Sequence, residues 1–234
     1  MNNPKKLGLL KKYDLHIHSC YSPDSIMKPA DILRIAKERG LNGIAITDHD
    51  TLKAYPVLKK LNKDKNFEII PGEEIHSNYG HFIGLYLKKE IQSRDLFEAI
   101  DEIHSQGGIA IIPHPFTLAS MHNFRYPLSK LKGKVDAIEA FNSRNFKRHN
   151  DSAKKEILKY GFSQVGSSDS HIKLEIGNGY TLFEGDLRLA IKNKKTNVGG
   201  TTRYSLVSNI CAGVRGQIIY PIFGSETVPK RKND

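Results

Sequence analysis

Two histidines two residues apart, His16 and His18, lie in the stretch Tyr13-Asp14-Leu15-His16-Ile17-His18. Strand-like alternation there puts Leu15 and Ile17 on one face and both imidazoles on the other. Imidazoles that share a strand face can converge on one ion. Asp24 follows a Ser-Pro turn and can return a carboxylate to the same place. Such a pair alone is more often a solvated or backbone-satisfied pair than a metal site, so the chemistry turns on whether ligands recur along the chain.

They do recur, and always at one kind of position. Apolar, strand-like runs at 43–47, 67–71, 109–112 and 162–166 end respectively at Asp48-His49, Glu73-Glu74, His114, and Asp169 with His171. Helical periodicity fills the gaps: 29–40, opened by Pro29 and closed by Gly40, then 52–61, 93–106, and a polar helix that reaches Tyr160. Further strands are expected at 81–87, 135–141 and 180–183, and the segment 186–192 completes the alternation. Strands and helices that alternate through short loops argue for an α/β protein with parallel strands, a barrel or a doubly wound sheet. In both architectures active sites assemble at the carboxyl ends of the strands. Scattered surface residues would not keep returning to that edge, and the recurrence turns a weak pair into a strong metal-site expectation.

His81 begins a strand instead of ending one. If 77–80 turns the chain back as a hairpin, His81 lies at the same end as Glu74. His76 shares strand parity with Glu74 and competes with His81 for that place. Glu73 has the opposite parity, so only one of the adjacent glutamates faces the site easily. Glu74 and His81 are the preferred pair.

The chain has 234 residues, 38% hydrophobic and 26% charged, enough for one large core. No apolar run approaches the roughly 20 residues that span a bilayer. The start of the chain lacks the apolar region and cleavage site of a signal peptide, and Cys20 and Cys211 are too few and too far apart for a disulfide framework. A cytoplasmic location is the expectation. The net charge of +11 favours anionic partners such as phosphates or nucleic acid, although part of it lies in basic terminal runs. The expected divisions are a basic tail over 1–12, a catalytic domain over 13–200, and an extension over 201–234 packed against it.

The motifs His16-Ile17-His18 with Asp24, Ile46-Thr47-Asp48-His49-Asp50, Pro71-Gly72-Glu73-Glu74-Ile75, His81-Phe82-Ile83-Gly84-Leu85, Pro113-His114-Pro115 and Ser168-Asp169-Ser170-His171 occur in an order that resembles the PHP (polymerase and histidinol phosphatase) family. The similarity is to the small stand-alone phosphoesterases of that family and covers roughly residues 13–183. It implies a distorted seven-stranded (β/α) barrel with two or three divalent metal ions. The ligands it implies are His16, His18, Asp24, His49, Glu74, His81, His114, Asp169 and His171. Some relatives carry a long insertion before the His-Pro motif. The gap here is short, so substrate selection by such an insertion does not carry over.

Imidazoles mixed with carboxylates suit Zn²⁺, Mn²⁺ or Fe²⁺, and the lack of thiolates argues against a structural zinc. Glu74 or Asp169 could bridge closely spaced ions and offset their repulsion. A metal-bound water with a pKa lowered to about 7 gives the hydroxide expected to attack phosphorus. Asn142-Ser143-Arg144 resembles a segment of the small phosphoesterases. Arg144 offers a two-pronged grip on phosphate, as readily as it would simply open a solvated helix, with Asn142 beside it. Arg203 is a further substrate candidate. Asp48 is expected to orient His49 or its neighbours from behind. His104, His122 and His149 receive no role, and Cys20 is read as a small filler.

The function expected is hydrolysis of a phosphate ester of a small metabolite or nucleotide, a nucleoside bisphosphate included. The alternative is a 5′-end exonuclease on RNA or single-stranded DNA. The basic charge favours the alternative; the absence of Trp and the dispersal of the aromatics along the chain count against it. A C–N amidohydrolase or a non-catalytic metal-binding module ranks lower, because Asp24, Glu74 and His81 complete a phosphoesterase-like set.

Overall fold

The computed structural model describes residues 10–117 and 124–203. His122, Cys211 and most of the expected extension lie outside them. Nine strands form one sheet: β1 (Leu10–Asp14), β2 (Gly43–Ile46), β3 (Glu68–Ser77), β4 (Gly80–Leu85), β5 (Ile109–Ile112), β6 (Ala137–Asn142), β7 (Gln164–Ser167), β8 (Gly179–Glu184) and β9 (Asn197–Gly200). Their order is β7-β6-β5-β4-β3-β2-β1-β8-β9. Neighbours run parallel except at β4, which is antiparallel to both β3 and β5, and at β8, antiparallel to β1 and β9. Among the described residues five α-helices connect the strands: α1 (Pro29–Glu38), α2 (Ala54–Leu61) and α4 (Lys147–Tyr160) cross over between parallel neighbours, and α3 (Leu96–Ser105) and α5 (Leu187–Lys192) join antiparallel ones.

The sheet curls until its ends nearly meet. Beyond β1 and β7 the chain bridges directly, Ile17 to Ser170, with the His18 amide donating to the Ser170 carbonyl at 3.0 Å. Lower down β8 intervenes, and its Thr181 hydroxyl both accepts from the Gly166 amide (2.9 Å) and donates to the Gly166 carbonyl (2.8 Å). That close crossing requires glycine, since a Cβ on Gly179 would collide with the Ser167 carbonyl. The sheet thus has nine strands where the motifs implied seven, with β8 inserted beside β1 and β9 beyond it, and the barrel-like α/β class holds. Strand β9 escaped the sequence reading because Asn-Val-Gly-Gly carries no apolar alternation. Leu10–Lys12, placed in the basic tail by the sequence, pair with β8.

Strand periodicity separates two cores. Tyr13, Ala45, Ile70, Ile83, Leu85, Ile111, Ala137, Val165 and Phe183 fill the barrel interior. Alternate residues face outward: Ile44 and Ile46 pack under α1 and α2, while Phe82, Ile112 and Ile138 pack with α3 and α4. Leu15 and Ile17, expected to share one face, fall in different clusters because the ladder of β1 ends at Asp14 and the chain leaves regular strand geometry. Helix ends follow local chemistry. Asp95 caps α3 by accepting from the Phe97 and Glu98 amides, and Gly161 closes α4 in the left-handed conformation (φ 69°).

Candidate metal centre

The hairpin expected at 77–80 is present, with His76 opposite His81 and Ser77 opposite Gly80. Parity then places Glu74 with Ile70, and His81 with Ile83 and Leu85, on the inner face. Glu73 points the other way and accepts from the Ile91 amide at 3.1 Å. His76 stands at the mouth, half exposed, with Nδ1 2.8 Å from Asp50 Oδ2.

All nine residues singled out as ligands converge. They fall into four overlapping groups whose donor atoms lie within 4.8 Å of one another: His18, Asp24, His49 and His171; His16, His18 and Glu74; His16, His114 and Asp169; His49, Glu74 and His81. His16 Nε2 lies 3.0 Å from His18 Nε2, and Glu74 Oε2 lies 3.2 and 3.1 Å from these two nitrogens. Asp169 Oδ1 is 3.6 Å from each. A tetrahedral ion with bonds of about 2.0–2.1 Å needs donor–donor edges of about 3.3–3.4 Å, and the His16, His18 and Glu74 atoms, 3.0–3.2 Å apart, come close to three such corners. The second oxygen of Glu74 turns elsewhere, 3.0 Å from His81 Nδ1 and 3.1 Å from His114 Nε2. Asp24 Oδ2 gathers a third set, 2.8 Å from His171 Nε2 and 3.3 Å from His49 Nε2. Asp24 Oδ1 is buried without a hydrogen-bond partner, an arrangement that costs about 1–3 kcal/mol unless an ion is bound, and His49 Nδ1 makes no hydrogen bond but faces Glu74 Oε2 at 3.4 Å. Six imidazoles and three carboxylates suit borderline divalent cations.

Two of these residues occupy strained backbone. His114 (φ 26°) and Asp169 (φ 54°) sit in the left-handed region, as does Asp50 (φ 53°) beside His49. Each such conformation costs on the order of 1–3 kcal/mol and persists only where the surroundings enforce it.

Burial and charge pull the cluster apart electrostatically. Burial works against the carboxylate of Glu74, but the charges of His16, His81 and His49 outweigh it and hold it well below the usual range. Asp24 is likewise held low by His171 and His49 despite burial. Burial lowers the imidazole of His49, yet the Glu74 charge and the Asp24 hydrogen bond lift it to about 9. Burial dominates for His18, with His171 opposing its protonation further, and brings it to about 3.

Behind the cluster lie residues that the sequence reading missed. Glu139, 2% exposed, faces His16 Nδ1 at 3.4 Å and accepts from the His114 amide (2.7 Å), the Asn142 side chain (2.8 Å) and the Ser167 hydroxyl. The available signal was a glutamate inside an apolar strand, which is buried only when paired. Glu175 accepts from the His171 and Ile172 amides at 2.7 and 3.0 Å. Asp14 accepts from the Ser168 and Gly177 amides at 2.9 and 2.8 Å, tying β1 to the loop that carries His171. Asp48 binds the Ser19 amide (2.6 Å) and hydroxyl (2.7 Å). It thus holds the loop between His18 and Asp24 and makes no hydrogen bond to the His49 ring. Burial pushes Asp14 and Asp48 up to about 6.

The substrate candidates separate. Arg144 leans on the cluster, Nη1 2.6 Å from His171 Nδ1 and 3.6 Å from Asp169 Oδ1. Asn142 is buried, its amide donating to Glu139 and, at 3.2 Å, to Asp169, while its oxygen accepts from the Arg144 amide at 2.9 Å. Arg203 is exposed, its amide on Thr201 Oγ1 at 3.2 Å. Cys20 is half buried and belongs to none of the four groups.

Fold and cluster together define an α/β barrel whose strand ends carry a histidine–carboxylate constellation able to hold metal ions. The chain belongs to the PHP family, whose domain model matches residues 14–175. Two uncharacterized proteins of Methanocaldococcus jannaschii are 37% and 36% identical, over 56% and 74% of this chain and 82% and 70% of their own lengths. A 5′-3′ exoribonuclease of Haemophilus influenzae is 35% identical over 85 residues, 35% of this chain and 31% of that protein. Among solved structures, PsfC of Pseudomonas syringae has a TM-score of 0.66 at 19% identity, covering 87% of this chain and 98% of PsfC. Endonuclease Q in complex with a duplex bearing an abasic lesion at its active site has a TM-score of 0.56 at 19% identity, covering 79% of this chain and 57% of that one. Identities this low show a shared fold. Among the described residues no helix is long and apolar enough to cross a membrane.

Proposed function

We propose that this protein is a metal-dependent phosphoesterase that hydrolyses a phosphate ester of a nucleotide or a small phosphorylated metabolite. The observation that carries the reading is Glu74, whose two oxygens face two different histidine pairs, His16 with His18 and His81 with His114. A carboxylate so placed would suit a centre of more than one divalent cation, held by the six imidazoles and three carboxylates around it.

The nine converging residues would hold the ions. Divalent cations there supply Lewis acidity, to a water at neutral pH and to the phosphoryl oxygens. The chain's own contributions are positional and electrostatic. Arg144 presents its guanidinium beside Asp169 and His171, where two N–H groups can grip phosphoryl oxygens and stabilise the charge that builds on them. Asn142 positions Arg144 through the backbone amide and Asp169 through the side chain. Glu139 fixes the orientation of His16, and Asp48 secures the loop leading to Asp24.

The second reading is removal of nucleotides from a nucleic-acid end. The exoribonuclease relative and the net charge of +11 favour it. The test is metal analysis followed by a panel of phosphomonoesters, nucleoside bisphosphates, short RNA and single-stranded DNA with Mn²⁺, Zn²⁺ or Fe²⁺. Metal-dependent product release is expected, abolished by a His16→Ala, Glu74→Ala double variant. No release from any of them, with metal demonstrably bound, overturns the reading.

A further inference from the structure

A cavity of about 420 Å³ lies beside the metal centre, and none of the nine clustered residues lines it. Among the described residues its walls come from Pro115 and Phe116, from Phe124 and Tyr126, and from α4 through Lys155 and Glu156. The volume falls within the roughly 300–1,000 Å³ of small-molecule sites. We propose that this cavity is the subsite for the nucleoside part of a nucleotide whose phosphate lies on the metal centre, an inference that rests on the phosphoesterase reading.

Three observations carry it. The first is chemistry. Phe116, Phe124 and Tyr126 are only partly buried and lean on the core with one side, leaving ring surface to the cavity. Aromatic faces of this kind stack any nucleobase without demanding a sequence. Tyr126 is held in place by edge-to-face contacts with Tyr79 (5.0 Å) and Phe97 (5.2 Å), so its ring is preorganised.

The second is position. Phe116 stands two residues beyond His114, at most about 7 Å along the chain. One sugar separates a nucleotide's 5′-phosphate from its base over a comparable span. The wall is also tied to the phosphate grip, because Asn145, next to Arg144, donates to the Phe116 carbonyl at 3.1 Å.

The third is charge. Lys155 lines the cavity beside Glu156, and exposed Arg148 lies one turn before Ser152 on the same face of α4, while Lys154 and the Asp151-paired Lys147 are exposed on the adjoining face. That helix can accept further phosphates of a strand entering with its end nucleotide in the cavity. The chemistry required is a nucleoside phosphate, supplied by either a mononucleotide or the end of a strand.

The chain contains no tryptophan, so Phe124→Trp places its one indole in the cavity, excited selectively over the tyrosines at the red edge of the absorption band. Adenosine is expected to quench it saturably, and ribose at the same concentrations is not. In kinetics with bound Mn²⁺, kcat/KM for adenosine 5′-monophosphate should exceed that for ribose 5-phosphate by about tenfold or more. Ser152→Trp, which fills the cavity from α4, should collapse that ratio, and a ratio is insensitive to any misfolded fraction. A 5′-phosphorylated hexanucleotide that outcompetes the mononucleotide identifies a strand end as the source; the reverse identifies the free nucleotide. Equal responses to adenosine and ribose, or a ratio that survives Ser152→Trp, overturn the subsite. If metal-loaded protein releases phosphate from neither ester, the phosphoesterase reading falls, while the quenching arm still decides whether the cavity takes a nucleoside.

Discussion

The two ends of this barrel both pair histidine with carboxylate, to different effect. At the amino ends of the strands, His104 Nε2 meets Asp136 Oδ2 at 2.9 Å, half exposed, and Asp136 also accepts from the Ala110 amide. Its hydrogen bond to Asp136 raises the imidazole of His104, burial opposing. The pair pins the end of α3 to the start of β6 and goes no further. At the carboxyl ends, nine such groups from seven chain segments meet in overlapping sets whose donor atoms lie within 4.8 Å of one another. A His–Asp contact is thus a poor marker of a metal site by itself. What distinguishes the carboxyl end is that each donor faces several others, with no room for each to keep a private partner.

The comparison breaks most decisively at Glu74. Glu74→Gln removes the carboxylate shared by the two histidine pairs and should cost about three orders of magnitude or more in activity, with loss of bound metal by elemental analysis. Its neighbour supplies the control. Burial pushes Glu73 up to about 7, so Glu73→Gln is close to isosteric with a form already populated and should retain metal. If both variants lose metal equally, the parity argument fails.

Next in size is Glu139→Gln. The glutamine still reaches its neighbours but no longer offers a charge to His16 Nδ1, and metal affinity should fall about 10- to 100-fold in a chelator competition. An unchanged affinity would show that His16 needs no support from behind.

The cluster also makes metal binding compete with protons. Its carboxylates Asp24 and Glu74 have lowered pKa values on folding, so their stabilisation is present above about pH 4 and is lost as pH falls through the lower folded value. His49 is raised, so its stabilisation is full below about pH 6.5 and lost as pH rises through about 9. Chelator-treated protein should therefore be most resistant to urea at mildly acidic pH. Zn²⁺ or Mn²⁺ added at pH 7 should displace protons, measured as a dependence of calorimetric heat on the ionisation enthalpy of the buffer. Heats that do not vary between buffers would rule out a protonated cluster.

The smallest effect belongs to the other end. His104→Ala should cost no more than about 0.2–1 kcal/mol in denaturant unfolding and leave metal content and activity unchanged. A loss of metal in that variant would erase the distinction between the ends.

The residues themselves determined much of this. Apolar runs that ended again and again in His, Asp or Glu were legible because strand ends and active-site ends coincide in α/β folds. Parity separated Glu74 from Glu73, since a strand repeats every two residues, and the hairpin at 77–80 reversed the chain and brought His81 back. The tertiary structure decided what depends on contacts between distant segments. Asp14 reaching Gly177, Glu139 reaching His16, and Asp48 reaching Ser19 span too much sequence for any local period to show. Strand β9 and the closure through Thr181 rest on glycines and one hydroxyl, which carry no hydrophobic pattern. The aromatics were scattered in the chain, and Phe116, Phe124 and Tyr126 line one cavity together. Periodicity reports which face a residue turns to its own element; only packing reports what stands opposite it.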